Sequence, residues 1–251
     1  DGTSPLSKGK ERIHCNFFGQ SSFATYSICT ERNIVKVPNG APLELLGPLA
    51  CGIQTGAGAV INALKPHMGQ SLAVFGSGSV GMSALMAARA IGLTTIIAVD
   101  LVKERLELAR TLGATHVINP STTPDTVAEI KKITGQGVNF SFETTGAPKV
   151  LRQAVEALAP RGACGFVGAA PMGTEVSLDV MDIMTQGKKL RGIVEGDSIP
   201  EVVIPQLIEL HRQGRVPFDE LLTFYPFERI NDAINDSESG KVVKPVVRMP
   251  S

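Results

Sequence analysis

The segment Ser71 to Gly81, SLAVFGSGSVG, constrains the fold more than any other part of the chain. Its first residues, to Phe75, make a short apolar run bounded by turn residues, the pattern of a parallel strand covered on both faces. The run breaks into GSGSVG just as a helical stretch rich in Ala, Met and Leu begins near Ser79. In that strand–turn–helix setting each glycine has a mechanical reason. Gly76 permits the tight turn, Gly78 lets backbone N–H groups approach a pyrophosphate, and Gly81 lets the helix pack on the strand. The helix N-terminus adds a partial positive charge aimed at the same phosphates.

The unit then repeats. Strands are expected over Thr95 to Asp100, His116 to Asn119, Asn139 to Gly146, Gly162 to Ala169 and Lys189 to Gly196. Helices are expected near Ser79 to Ile91, Lys103 to Gly113, Thr126 to Thr134 and Pro148 to Leu158. Six strands with interleaved helices predict an α/β protein built on a doubly wound parallel sheet. Upstream, Ser22 to Cys29 and Ile34 to Pro38 read as further strands, and a helical period starts at Pro42. Downstream, a helix over Ile199 to Gly214 is expected to be interrupted by Pro205. A strand, a short helix and a final strand in VVKPVV follow, and are expected to return against residues 1 to 50 as a second lobe.

Asp100 ends the second strand about 20 residues beyond Gly81, the offset at which a carboxylate accepts the adenosine ribose hydroxyls. A carboxylate there repels a 2′-phosphate, and Leu101 and Val102 follow with no arginine beside them, so NAD is expected rather than NADP. Glycines kept for packing, with Asp100 as a helix cap, is the plainer account. It leaves the joint spacing of loop, helix and acid unexplained.

Charge and composition exclude other classes. The 251 residues carry 24 Lys plus Arg against 24 Asp plus Glu, with no clustered basic face, a poor match to nucleic acid or an anionic membrane. No apolar run reaches the length that spans a bilayer, and DGTSPLSKGKERIHC has no signal-peptide core. Four cysteines, Cys15, Cys29, Cys51 and Cys164, are scattered without paired spacing, which fits a reducing, cytoplasmic setting. The chain opens without Met, so processing or further upstream residues are expected.

Beyond these features, FFGQSSFATY (Phe17 to Tyr26), LLGPLACGIQTGAGA (Leu45 to Ala59), FGSGSVG, VDLVKERLELARTLGATHVINP (Val99 to Pro120) and NFSFETTG (Asn139 to Gly146) resemble the medium-chain, zinc-dependent alcohol dehydrogenases. Within that family the likeness is to the aryl- or benzyl-alcohol dehydrogenases. The resemblance implies a Rossmann domain over 52–195, flanked by a truncated GroES-like catalytic lobe made of 1–51 and 196–251. It implies NAD-dependent oxidoreduction of a primary, aromatic alcohol or aldehyde, a cytoplasmic enzyme, and a homodimer joined through the sixth strand.

Roles carry over residue by residue as expectations of that resemblance. Cys51 matches a catalytic zinc ligand, and Thr55 matches the position facing the nicotinamide. Val80 backs the nicotinamide ring, Arg105 flanks the adenosine, and Val167 and Ala169 line the carboxamide. Lys244 falls where a basic residue meets the pyrophosphate, and Phe17 and Phe18 wall the substrate pocket. Glu195 ends the sixth strand near the expected nicotinamide and has no assigned role there.

The family's other catalytic zinc ligands and its clustered structural cysteines do not occur in this sequence. Catalytic zinc needs three protein ligands plus an open position, so zinc is expected only if a segment upstream of Asp1 supplies them. Two further readings therefore stand beside the dehydrogenase. One is a zinc-free isomerase, cyclase or lyase in the same pocket, with His14 or the Cys51 thiol as its reactive group. The other is an NAD-binding remnant. His14 in KERIHCN also suits a solvated surface loop, and Cys51 a buried packing residue.

Overall fold

The computed structural model describes residues 6–13 and 23–250. A six-stranded parallel sheet organises the chain. The short strands β1 (Leu6–Lys8) and β2 (Glu11–Ile13) pair antiparallel away from that sheet. Helix α1 (Leu43–Leu46) and a 3-10 turn (Gly47–Ala50) lead into α2 (Gly52–Gly58), which widens into a π-helical turn over Ala59–Leu64.

The repeat follows as β3 (Ser71–Phe75), α3 (Ser79–Ala90), β4 (Thr95–Val99), α4 (Lys103–Leu112), β5 (His116–Ile118), α5 (Thr126–Thr134), β6 (Val138–Glu143), α6 (Pro148–Glu156), β7 (Leu158–Phe166), α7 (Val180–Gln186) and β8 (Lys189–Gly192). In space the strands run β5-β4-β3-β6-β7-β8. The chain reverses its direction of winding between β3 and β6, and in open parallel sheets the ligand crevice lies at that switch point. Helix α8 (Pro200–Arg212), strand β9 (Leu222–Pro226), helix α9 (Ile230–Glu238) and strand β10 (Lys244–Arg248) complete the chain, with β9 and β10 paired parallel.

The central strands do not alternate because helices cover both their faces. Leu72, Ala73, Val74 and Phe75 of β3 and Ile96, Ile97, Ala98 and Val99 of β4 are all buried. One face packs Leu72, Val74, Phe142, Leu85 and Met82 with Leu49, Ile53 and Val60, and the same cluster takes in Leu207, Phe218 and Leu221 from beyond the sheet. The other face packs Phe75, Ile97, Ile130, Val155 and Leu158. Each such large side chain contributes about 1.5–3 kcal/mol on burial. Asp125 caps α5 by accepting the Ala128 N–H at 2.9 Å, which explains why that helix starts where its sequence period does.

Three expectations are corrected. Residues 23–29 and 34–38 form no strand: they run as bends and extended chain with no sheet neighbour among the described residues. Val35 and Val37 instead pack against the core from one side. The sixth strand stops at Gly192, four residues short of the expected end, and the backbone turns left-handed at Glu195, which bars the strand from reaching Gly196. Pro205 does not interrupt α8, which continues through it to Arg212. Burial of Ile204, Leu207 and Ile208 on the packed face outweighs the one backbone bond that a proline removes.

Candidate functional site

Gly76 leaves β3 with φ +96, a left-handed backbone that favours glycine. A Cβ on Gly81 would lie 1.9 Å from the Gly76 carbonyl oxygen, so the first turn of α3 rests directly on the loop it follows. The Thr144 hydroxyl, just past β6, donates to the carbonyls of Phe75 at 2.9 Å and Gly76 at 3.2 Å and pins the loop from the other side of the switch point. Gly78 faces open space: a Cβ there would touch nothing within 4 Å. Helix α3 has no side-chain cap, which leaves its first N–H groups aimed into that space. These are the features of a cradle for a diphosphate.

Asp100 stands beside the cradle. Its carboxylate accepts the Ser77 N–H at 2.6 Å and the Val102 N–H at 2.8 Å, so one acid ties the glycine loop to the start of α4. The group is only partly buried and keeps lone pairs for a further donor. The Ser77 hydroxyl is buried with no partner among the described residues. Arg105 lies below, next to Gly240 and Val102, with its Nε likewise buried and unpartnered there.

The opposite end of the crevice is built on α2. A Cβ on Gly52 would meet the Ser79 hydroxyl at 2.9 Å, and one on Gly56 would lie 2.0 Å from the Val80 carbonyl. Helix α2 therefore lies against the first turn of α3, which brings Cys51 and Thr55 to the side of Val80. Across from them the chain leaves β8 through three successive left-handed residues, Glu195 (φ +49), Gly196 (φ +67) and Asp197 (φ +47). For the two that are not glycine this backbone costs about 1–3 kcal/mol each. The turn is held: Arg191 forms an ion pair with Asp197 and donates to the Ala63 carbonyl at 3.1 Å, and Gly196 sits where a Cβ would lie 2.5 Å from the Gln54 carbonyl.

That turn delivers the Glu195 carboxylate to α2. One oxygen accepts from the Thr55 hydroxyl and from the Gln54 amide, each at 3.2 Å. Gln54 also donates to the Ala50 carbonyl at 2.9 Å, while its own amide oxygen is buried without a partner among the described residues. Partial burial raises the Cys51 thiol above its ordinary pKa, Glu195 raises it further, and Lys244 opposes them. Cys51, Glu195 and Lys244 thus share one electrostatic neighbourhood although they lie on three separate elements.

The end of β7 closes the crevice. The Val167 N–H donates to the Glu143 carbonyl at 3.0 Å, and a Cβ on Gly168 would lie 2.0 Å from the Gly146 nitrogen. Glu143, only 1% exposed, accepts the N–H groups of Thr145 at 2.6 Å and Gly146 at 3.1 Å and the Thr145 hydroxyl. Its carboxyl group is tied down within this one turn, with Ala169 at the exposed lip.

The structure therefore gathers Gly76, Gly78, Gly81, Val80 and Asp100 at the cradle, and Cys51, Thr55 and Glu195 at the far side, with Lys244 close to them. Val167 and Ala169 sit at the end of β7, and Arg105 packs beneath α9 and its following turn. His14, Phe17 and Phe18 lie outside the described residues. Gln54, Ser77 and Glu143 were not anticipated from the sequence. The local signal for Glu143 was available in ETTG: an acid at a strand end, followed by hydroxyl residues and a turn glycine.

The cradle fits a dinucleotide. Zinc is a different matter. No group of three or more His, Cys, Asp or Glu side chains is assembled for a metal among the described residues, so Cys51 and its surroundings there do not by themselves fit a zinc ion.

Comparison with known proteins supplies the wider context. A sequence model described as "Zinc-binding dehydrogenase" matches residues 79–211. The chain is 44% identical over 247 residues to the geraniol dehydrogenase of Castellaniella defragrans, covering 98% of this chain and 66% of that protein. Its fold superposes on an alcohol dehydrogenase zinc-binding domain protein from Burkholderia ambifaria with a TM-score of 0.93 at 57% identity, over 96% of this chain and 65% of the other. It also superposes on the benzyl alcohol dehydrogenase of Acinetobacter calcoaceticus with a TM-score of 0.91 at 52% identity, over 93% and 64%. In each comparison the chain spans just under two thirds of its relative's length.

Proposed function

Because the chain belongs to the zinc-binding dehydrogenases, with alcohol dehydrogenases among its relatives, we propose that it binds NAD across the carboxyl ends of its sheet and serves oxidoreduction of a primary alcohol. One observation carries this reading: an uncapped helix opens onto empty space at Gly78, and a tethered carboxylate, Asp100, stands at the end of the neighbouring strand. The bound nicotinamide supplies the hydride acceptor.

The chain's own residues divide the remaining work. The N–H groups at the start of α3 hold the diphosphate, and Lys244 adds a positive charge to it. Asp100 takes the adenosine ribose and disfavours a 2′-phosphate, which selects NAD over NADP. Thr55, Val80 and the Val167–Ala169 lip fix the nicotinamide face, leaving the side toward Cys51 for substrate. An aromatic or similarly apolar alcohol fits this reading, in keeping with the benzyl alcohol and geraniol named for the relatives.

The reading extends to assembly and location. Strand β8 is the outer strand of the sheet and all four of its residues are exposed, so a homodimer extending the sheet through it is proposed. No single helix among the described residues is long and apolar enough to cross a membrane, and a cytoplasmic location is proposed. The test of the central claim is direct. NAD should bind the purified chain and be displaced by ADP-ribose, and NADH fluorescence should rise on adding benzyl alcohol or geraniol to the chain with NAD. Absence of NAD binding at millimolar concentration would remove the oxidoreductase reading.

A further inference from the structure

Glu195 is held in a way that its neighbours' roles do not explain. Its backbone is left-handed, and so is that of Asp197, which accounts for two of the four non-glycine residues with positive φ among those described. Such strain persists only where surrounding contacts enforce it, and here they do: the Arg191–Asp197 pair, the Asn62 amide on the Gly196 carbonyl at 3.4 Å, and the tight seat of Gly196 on α2. The result is a carboxylate fixed against the first turn of α2. Both of its donors, the Thr55 hydroxyl and the Gln54 amide, are neutral. No cation forms an ion pair with it among the described residues, in contrast to Asp197 two positions on. The charge is anchored and not directly paired, with Lys244 the cation in the same neighbourhood.

We propose that Glu195 sets the redox-state preference of the cofactor site, its anchored carboxylate favouring the positively charged oxidised nicotinamide over the neutral reduced ring. The inference rests on the reading that the nicotinamide lies beside Thr55. The two redox forms of the dinucleotide share the same diphosphate, riboses and adenine, and differ in the net charge of one ring. A fixed anion beside that ring therefore acts on their ratio and on little else. Because two hydrogen bonds already orient the carboxylate, no reorganisation is needed when the ring arrives. Tighter binding of the oxidised form lowers the reduction potential of the bound couple. A site tuned this way loads the oxidised cofactor in preference to the reduced one, at the cost of a weaker driving force for hydride transfer on the protein.

Dissociation constants for NAD⁺ and NADH, measured separately by calorimetry and by nucleotide fluorescence, test this on the wild type, Glu195→Gln and Glu195→Asp. The glutamine keeps an acceptor for Thr55 and removes the charge. It is expected to weaken NAD⁺ about tenfold while NADH changes less than about twofold. The aspartate is expected to keep most of the wild-type ratio. A purely structural clamp would instead lower the melting temperature and weaken both forms alike, which would overturn the proposal. An unchanged ratio in folded Glu195→Gln would also overturn it. Should that variant not fold, salt gives a second reading on the wild type. Raising ionic strength from about 0.05 to about 0.5 M is expected to weaken NAD⁺ more than NADH, and equal weakening contradicts the proposal. A wild type that binds neither form would remove the cofactor reading itself.

Discussion

Gly81 lies so close to Gly76 that a methyl group on the first would sit 1.9 Å from the carbonyl oxygen of the second. The contact is backbone on backbone, within one turn of the sequence, and no rotamer change relieves it. Substituting Gly81→Ala is expected to destabilise the protein by about 1–3 kcal/mol despite alanine's better helix propensity. Movement of α3 off the loop is expected to weaken NAD at least tenfold. Urea denaturation and nucleotide titration of the same preparation read the two effects, and a variant equal to wild type in both would contradict this account.

Asp100 has a structural task and a proposed binding task. Its removal in Asp100→Ala strands the N–H groups of Ser77 and Val102, which it accepts at 2.6 and 2.8 Å. The stability loss is expected at about 1.5–3 kcal/mol, the range for hydrogen bonds to a charged group. NAD affinity is expected to fall by more than tenfold, and NADP to lose its disadvantage. Retention of tight NAD binding by this variant would refute the ribose assignment.

The Cys51 thiol is exposed yet held protonated, first by partial burial and then by Glu195, against the pull of Lys244. Less thiolate means slower alkylation near pH 8 than a free thiol of unperturbed reactivity shows. Glu195→Gln is expected to speed Cys51 labelling and Lys244→Gln to slow it, both read by peptide mass spectrometry. Cys164, whose pKa burial pushes up to about 12, is expected to label only on unfolding. Labelling rates left unchanged by both substitutions would disprove the shared electrostatic neighbourhood.

One acid-sensitive contribution lies on α8. Hydrogen bonds from Arg212 and Gln213 lower the Glu209 pKa to about 2. A depressed carboxylate stabilises the fold above its unfolded value and loses that contribution as pH falls through the folded one. Wild type and Glu209→Gln are therefore expected to differ in thermal midpoint at pH 6, to converge between about pH 4.5 and 2, and to be alike below. The group is fully exposed, so the difference is small and shrinks in salt. A gap that persisted at the lowest pH would rule this out.

The doubly wound core was legible because each strand is a short apolar run stopped by turn residues, and each helix carries its own period. Thr126–Thr134 forms the expected helix residue for residue, with Asp125 as its cap. Residues 23–29 and 34–38 misled for the opposite reason. SFATYSIC and IVKVP have strand composition, but composition cannot supply a neighbouring strand, and none stands beside them among the described residues. Helix α7 escaped notice because seven residues hold too few turns to show a period, and its clearest sign, Asp179 accepting the Asp182 N–H at 3.0 Å, is a local bond. At the site, glycine spacing marked the cradle, whereas the Glu195–Gln54 contact joins residues 141 positions apart and leaves no trace in spacing.

Helix α2 touches α3 and the turn after β8 through glycines, at Gly52, Gly56 and Gly58. Contacts made through side chains can yield by rotating a torsion. At Gly56 and Gly58, helix α2 instead seats against the carbonyls of Val80 and Gly196, main chain on main chain, so a shift imposed on Cys51 or Thr55 is expected to carry into the first turn of α3.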